Sequence, residues 1–326
     1  MSQQAWQLVA DIGGTNARFA ALQLGQMESE HQFFYTVAEH ADFIELLAQL
    51  RRDIAEATGW VDAPQRACLA VACPADGVEI KFTNSHWHFS KQEVAKALES
   101  SVEIINDFAA IAHGVTELGA DDVIQVGGGT PQQVKPMAVL GPGTGLGVSA
   151  LIPHSGGYAV VDGEGGHVGF APGDARQAAI LVGLQQRFGG HVSAERLLSG
   201  RGIVTLYQQL AELDGVAAPL QQAADITAAA LSDSDPLAIA TLHQFCQIMG
   251  TVAGDVALNF GAKGGVYLAG GVIPRFSDFF SASQFREYFQ NKGRFADYLA
   301  AIPVYLVVRD HLGLLGAAKH LNSEPV

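Results

Sequence analysis

Residues 8–19, LVADIGGTNARF, run from an apolar segment into a carboxylate, two glycines, a threonine and an asparagine, and then into a second apolar segment. The apolar runs on either side predict two strands, and the polar break between them predicts a β-hairpin turn. A tight turn asks for glycine where φ must be positive. It does not ask for Asp11 at the end of the first strand, nor for Thr15 and Asn16 behind the glycines. Those extra polar groups point to an anion, or a metal carrying one, against the turn.

The pattern returns in residues 135–152, KPMAVLGPGTGLGVSALI, again strand, glycine-rich turn, strand. Neither turn contains G-x-x-x-x-G-K-[ST], and neither holds a lysine, so a P-loop is excluded. Neither matches G-x-G-x-x-G, and both resume as strands, so the dinucleotide fingerprint fails as well. Successive backbone N–H groups of a glycine turn still form a concave anion-binding nest without a basic side chain. Either hairpin alone reads as a plain turn. The pair reads as two nests able to hold a polyphosphate from both sides. Asp11 and Thr15 then suit Mg²⁺ with its water shell, because Mg²⁺ takes few carboxylates and several waters.

The chain has 326 residues, beyond the ~250–300 at which one core usually splits, so two domains are expected. With 33 acidic against 19 basic residues the net charge is −14, and no basic run appears. A nucleic-acid surface or a binding site for anionic membranes is therefore not expected. The opening MSQQAW lacks the features of a secretory signal, and apolar runs such as 302–308, IPVYLVV, fall far short of the ~20 residues of a membrane helix. Cys68, Cys73 and Cys246 lack metal-site spacing, so free thiols in a reducing cytoplasm are expected.

Along the chain, residues 42–59 show helical apolar spacing and end at Gly59, and Ser90 with Glu93 has capping-box spacing. VEIIND (102–107) reads as a buried strand that stops at Asn106-Asp107, with a helix following. The long apolar stretch 236–261 reads as a helix, residues 264–272 as a strand ending in two glycines, and 311–321 as a closing helix.

The two hairpins resemble the phosphate-1 and phosphate-2 loops of the sugar kinase, actin and heat-shock-chaperone ATPase superfamily. VYLAGGVIPRF (266–276) resembles its adenosine loop. More closely, the chain is similar to bacterial glucokinases of the proteobacterial type. EIINDFAA, LGPGTGLGVS, GEGGHVGFAP, HVSAERLLSGRGI, LAGGVIPRF and DHLGLLGAA occur in that family's order, almost end to end. The resemblance implies an α/β, two-lobed actin-like ATPase (ribonuclease-H-like) fold. Its cleft would lie between a small α/β domain, residues 1–117 plus 308–326, and a larger α+β domain, 118–307. It implies phosphorylation of glucose to glucose 6-phosphate, ATP and Mg²⁺ as cofactors, and a homodimer. Cofactor contacts fall on Asp11, Gly13, Gly14, Thr15, Asn16, Gly143, Thr144, Gly145, Gly270 and Gly271, with Asp11 holding Mg²⁺ through water.

Asn106-Asp107 can be read as a helix cap. A carboxylate at a strand's carboxyl end also lies where α/β sheets place ligands, and a hydroxyl attacking phosphorus needs its proton accepted. The resemblance makes Asp107 the catalytic base and Asn106 a sugar ligand. In GEGGHV, Glu164 and His167 taken singly read as loop residues. Together among glycines they suit a polyol better than a metal, since no third ligand completes a site. The resemblance puts them on glucose hydroxyls with Glu195, which alone reads as an exposed helix residue. In TNSHWHF (83–89), His86 and His88 read as flanking a partly buried Trp87; the stretch ACPADG…FTN resembles the hexokinase-like segment that lines the sugar cleft, which implies Asn84 as a further residue toward the sugar.

Two relatives of this reading are set aside. The zinc-containing ROK sugar kinases carry a C-x-C-G-x-x-G-C motif that three scattered cysteines cannot supply. A sugar-responsive regulator needs a helix-turn-helix before the first hairpin, where there is no room. An actin- or chaperone-like ATPase would lack the constellation of Asn106, Asp107, Glu164, His167 and Glu195.

Overall fold

The computed structural model describes residues 5–82 and 85–323. The chain divides into two compact units, Met1–Leu118 with Arg309–Val326, and Gly119–Val308. Among the described residues no helix is long and apolar enough to cross a membrane.

In the first unit, β1 (Trp6–Ile12), β2 (Asn16–Gln23) and β3 (Gln32–Thr36) form an antiparallel meander, and β4 (Arg66–Val71) lies parallel to β1. A ribbon of β5 (Glu79–Lys81) and β6 (His88–Ser90) stands apart, and β7 (Ser101–Asn106) lies parallel to β4. The sheet order is β3-β2-β1-β4-β7. Three helices follow the local signals. Helix α1 (Phe43–Thr58) starts where the Asp42 carboxylate accepts from the Ile44 and Glu45 amides and stops at left-handed Gly59. Helix α2 (Lys91–Leu98) opens with the Ser90–Glu93 capping box. Helix α3 (Asp107–Val115) follows β7 directly.

β1 is buried on both faces. Leu8, Ala10 and Ile12 join Leu46, Leu47 and Leu50 of α1, while Val9 joins Leu314, Ala317 and Leu321 of the closing helix, Leu312–Ser323. That is why its sequence is a run rather than an alternation. Arg66 ties the closing helix down, donating to Gln7 Oε1 at 3.0 Å, to the Leu321 carbonyl at 2.6 Å and to Asn322 Oδ1 at 2.8 Å. The closing helix meets α3 at backbone distance. A Cβ on Gly316 would lie 1.6 Å from the Ala110 carbonyl oxygen.

The second unit repeats the plan. After β8 (Val123–Gln125), β9 (Met137–Pro142), β10 (Leu146–His154) and β11 (Gly157–Gly163) form an antiparallel meander. Helices α4 (Ala175–Phe188), α5 (Gly200–Asp214), α6 (Ala223–Leu231) and α7 (Pro236–Phe260) follow, then β12 (Gly265–Leu268) parallel to β9 and β13 (Val304–Val307) parallel to β12. The sheet order is β11-β10-β9-β12-β13-β8. Phe245, Ile248 and Met249 of α7 and Leu206 and Tyr207 of α5 pack with Ala138 and Leu140 of β9 in one core. Each unit is thus built on a mixed sheet, a three-stranded meander extended by parallel strands, with β8 closing the second sheet antiparallel to β13.

Candidate functional site

In the first unit the parallel strands end together. Ile12 pairs with Val71 and Val71 with Asn106, so the first hairpin and the Asn106-Asp107 junction share one edge of the sheet. The strand spacing puts the ends of β1 and β7 about 10 Å apart. In the hairpin, the Gly13 amide donates to the Asn16 carbonyl and the Val37 amide to the Thr15 carbonyl, both at 2.9 Å. The Asp11 side chain turns to the closing-helix face, where a Cβ on Gly313 would lie 2.9 Å from its Cγ. Arg18 Nη1 reaches it at 3.3 Å. Burial raises the Asp11 pKa, outweighing the opposite pull of Arg18 and His311.

At the other end of that edge, Asn106 is the N-cap of α3. Its Oδ1 accepts from the Phe108 amide at 2.8 Å and the Ala109 amide at 3.3 Å, and its Nδ2 donates to the Cys73 carbonyl at 3.4 Å. Asp107 is the first helical residue and is half-buried. The side-chain cap therefore belongs to Asn106. Burial first, and the Asp107 charge second, push the Cys73 thiol up to about 11.

In the second unit, four segments converge on the hairpin Gly143–Gly145. The Gly143 amide donates to the Gly145 carbonyl at 2.8 Å, and Gly200, first residue of α5, donates to the Gly143 carbonyl at 2.9 Å. The segment 269–272 arrives from β12, with the Val272 amide donating to the Pro142 carbonyl at 3.1 Å. A Cβ on Gly270 would lie 2.6 Å from that same oxygen. The loop Glu164–His167 packs against β10: a Cβ on Gly165 would lie 2.8 Å from that of Val148, and one on Gly166 would lie 2.0 Å from the Leu146 carbonyl oxygen. These glycines bring the backbone in and leave Glu164 and His167 exposed, 3.7 Å apart. The fourth segment bears Glu195, whose Oε2 accepts from the Leu146 amide at 2.9 Å. The preceding Ala194 amide donates to the Val168 carbonyl at 2.9 Å. Glu164, His167 and Glu195 are thereby gathered beside the hairpin.

A family model described as Glucokinase matches residues 8–324. A glucokinase of Hahella chejuensis is 43% identical over 327 residues, covering 100% of both chains. The chain belongs to the glucokinase family. A solved glucokinase from an Antarctic psychrotroph is 36% identical, with a TM-score of 0.86 over 98% of this chain and 99% of that one. One from Balamuthia mandrillaris in complex with glucose, 22% identical, shares the fold with a TM-score of 0.81 over 98% and 94%.

Within this glucokinase-family chain one expectation about the hairpins is corrected. Gly13, Gly143 and Gly145 do not take the left-handed backbone. At Gly145 the absent side chain makes way for the Glu195 carboxylate, since a Cβ there would lie 2.4 Å from its Oε2. Glu195 had no local signal, because its partner is 49 residues away in sequence. Trp87 packs on Phe43 and donates from Nε1 to the His40 carbonyl at 2.8 Å, and His86 Nε2 lies 2.9 Å from the same oxygen. Asn84 lies outside the described residues.

Proposed function

We propose that this glucokinase-family chain moves the γ-phosphoryl group of ATP to the 6-hydroxyl of glucose with Asp107 as the base. Glu164, His167, Glu195 and Asn106 hold the other hydroxyls. The convergence of Glu164, His167 and Glu195 on the glycine hairpin of the second unit carries the reading, because it pairs polyol-binding groups with an anion-binding turn. The 6-oxygen attacks phosphorus while its proton passes to the Asp107 carboxylate. The bond to the β,γ-bridging oxygen breaks, and ADP leaves.

Phosphate oxygens are assigned to the backbone amides of Gly14, Thr15 and Asn16 in one hairpin and of Thr144 and Gly145 in the other. The N-terminus of α5 abuts the second hairpin, and its dipole favours an anion there. Gly270 and Gly271 are assigned to the adenosine. The residues also fit Mg²⁺. Asp11 is a half-buried carboxylate whose pKa desolvation raises against the pull of Arg18, which lies at a long 3.3 Å, so a nearby cation is favourable. Asp11 would hold it through water, and the ion would neutralise charge on the phosphate oxygens.

Glucose-dependent formation of ADP and glucose 6-phosphate, followed in a coupled assay, tests the reading. ADP release indifferent to glucose would place the chain with actin-like ATPases instead. Turnover of another sugar alone would move the substrate. The homodimer that the resemblance implies is tested by sedimentation velocity.

A further inference from the structure

Glu195 lies in a short 3-10 turn, Ala194–Arg196, held from both sides. The Ala194 amide binds the Val168 carbonyl just past His167, and the Ser199 hydroxyl donates to the Glu195 carbonyl at 2.9 Å. One residue further, the Gly200 amide binds the Gly143 carbonyl. The segment is therefore fastened at one end to the loop of Glu164 and His167 and at the other to the glycine hairpin. In between, Glu195 Oε2 takes the Leu146 amide, where β10 leaves the turn, and a Cβ on Gly145 would lie 2.4 Å from that oxygen, so any side chain there displaces the carboxylate. A ligand for sugar hydroxyls alone would not need its carboxylate pressed into a backbone turn.

We propose that Glu195 is a positioning residue for the phosphate-binding hairpin as well as a sugar ligand, so that its one carboxylate couples the sugar site to nucleotide affinity. This rests on the sugar-site reading above. One oxygen fixes the hairpin amide, and the other is left for a sugar hydroxyl. A sugar that immobilises the side chain also immobilises the hairpin, and by reciprocity a nucleotide on the hairpin pre-orders Glu195 for the sugar. Such couplings typically run from about 5- to 150-fold.

The test is calorimetric binding of a nonhydrolysable ATP analogue with Mg²⁺, with and without glucose, together with glucose binding alone. In wild type, glucose should tighten the analogue. Glu195→Ala should weaken sugar-free analogue binding about tenfold, the scale of a lost charge-assisted hydrogen bond, and should abolish the effect of glucose. Glu195→Gln, whose amide oxygen still accepts from Leu146, should restore sugar-free analogue affinity while glucose binding stays weakened. Glu164→Ala should weaken glucose and leave sugar-free analogue binding at the wild-type level. If Glu195→Ala behaves like Glu164→Ala, the positioning role is gone and the sugar reading stands. If neither weakens glucose, the sugar reading is what fails. Should Glu195→Ala not fold, Gly145→Ala displaces the same carboxylate by another route, and there undiminished coupling would overturn the proposal.

Discussion

The hairpin of the first unit and that of the second both join the central strand of a sheet to its antiparallel neighbour. Each also lies beside the N-terminal end of a helix, Gly313 of the closing helix in one case and Gly200 of α5 in the other. Each has a carboxylate against it and a glycine that makes room for that carboxylate. The origin of the carboxylate differs. Asp11 belongs to the strand that enters the first hairpin, is half-buried, and faces Arg18. Glu195 reaches the second hairpin from a distant segment and binds its backbone. Duplicating the sheet thus duplicates the turn and the helix dipole, but each unit acquires its charge separately, and with it a separate task. The first unit supplies the groups proposed for the metal and the base, and the second supplies most of those proposed for the sugar.

The sharpest break of that division is Asp107→Asn. Because the Asn106 side chain caps α3, the substitution leaves that cap in place and replaces the proposed proton acceptor with an amide of the same size. General-base catalysis is typically worth ~10²–10⁴-fold, so kcat should fall at least a hundredfold. Calorimetric glucose affinity should hardly change. A variant that keeps kcat within tenfold of wild type would reduce Asp107 to a helical residue with no chemistry.

Gly316→Ala and Gly250→Ala compare how tightly each unit is built. A Cβ at 316 would lie 1.6 Å from the Ala110 carbonyl oxygen on α3, and one at 250 would lie 2.3 Å from the Phe285 carbonyl oxygen. Both overpack a helix contact, which typically costs ~1–3 kcal/mol, so both should lower Tm. Only Gly316→Ala should also lower kcat in the surviving folded protein, because the helix it pushes begins with Asp107. Equal kcat losses in the two would show that activity follows overall stability and not the position of α3.

Both hairpins were legible because short apolar runs and glycine punctuation are local signals, as were Gly59, Ser90 and Glu93 at the helix ends. Helix α7 was legible from its length, with Pro236 at its start and Gly261 at its end. β11 was not, because only Tyr158 and Val160 are half-buried while Ala159 and Val161 are exposed, so its apolar residues give no clean apolar–polar alternation. β13 lies inside an apolar run that was weighed only as a membrane segment. The reason for the glycine at 145 was out of reach too. Its neighbour is Glu195, and no sequence pattern announces a contact between a loop and a 3-10 turn so far along the chain. Without the family resemblance, Glu195 would have stayed a surface residue.

Asn106→Ala probes a residue asked to do two things. Losing the two amide bonds of its Oδ1 should cost about 1 kcal/mol, the usual value of an N-cap, and lower Tm accordingly. Asn106→Ser can still cap. It should recover the stability and not the glucose KM. Recovery of both would leave Asn106 a cap without a place in the sugar site.

The smallest effect separates the units by pH. In the first unit, His113 of α3 lies 3.3 Å from His320 Nδ1, and His320 Nε2 lies 2.6 Å from Glu103 Oε2. Burial, then the charges of His320 and Lys319, lower the His113 pKa to about 4. The unfolded chain, with an ordinary histidine pKa near ~6.5, takes up this proton first as pH falls. His113 therefore contributes its full stability above that value, loses it progressively down to about 4, and changes nothing further below. Asp11, with its raised pKa, works in the opposite direction as its pocket gains a proton, so wild type alone is ambiguous. The difference between wild type and His113→Gln isolates the histidine, because glutamine keeps a donor toward His320 without titrating. Thermal melts at pH 7 and pH 4.5 should show wild type losing more Tm than the variant. Hydrogen exchange should place the excess loss in β1, β4 and α3, not in β9 and α7. Parallel Tm profiles for the two proteins would mean that His113 is not held neutral by its surroundings, and that acid opens the first unit by another route.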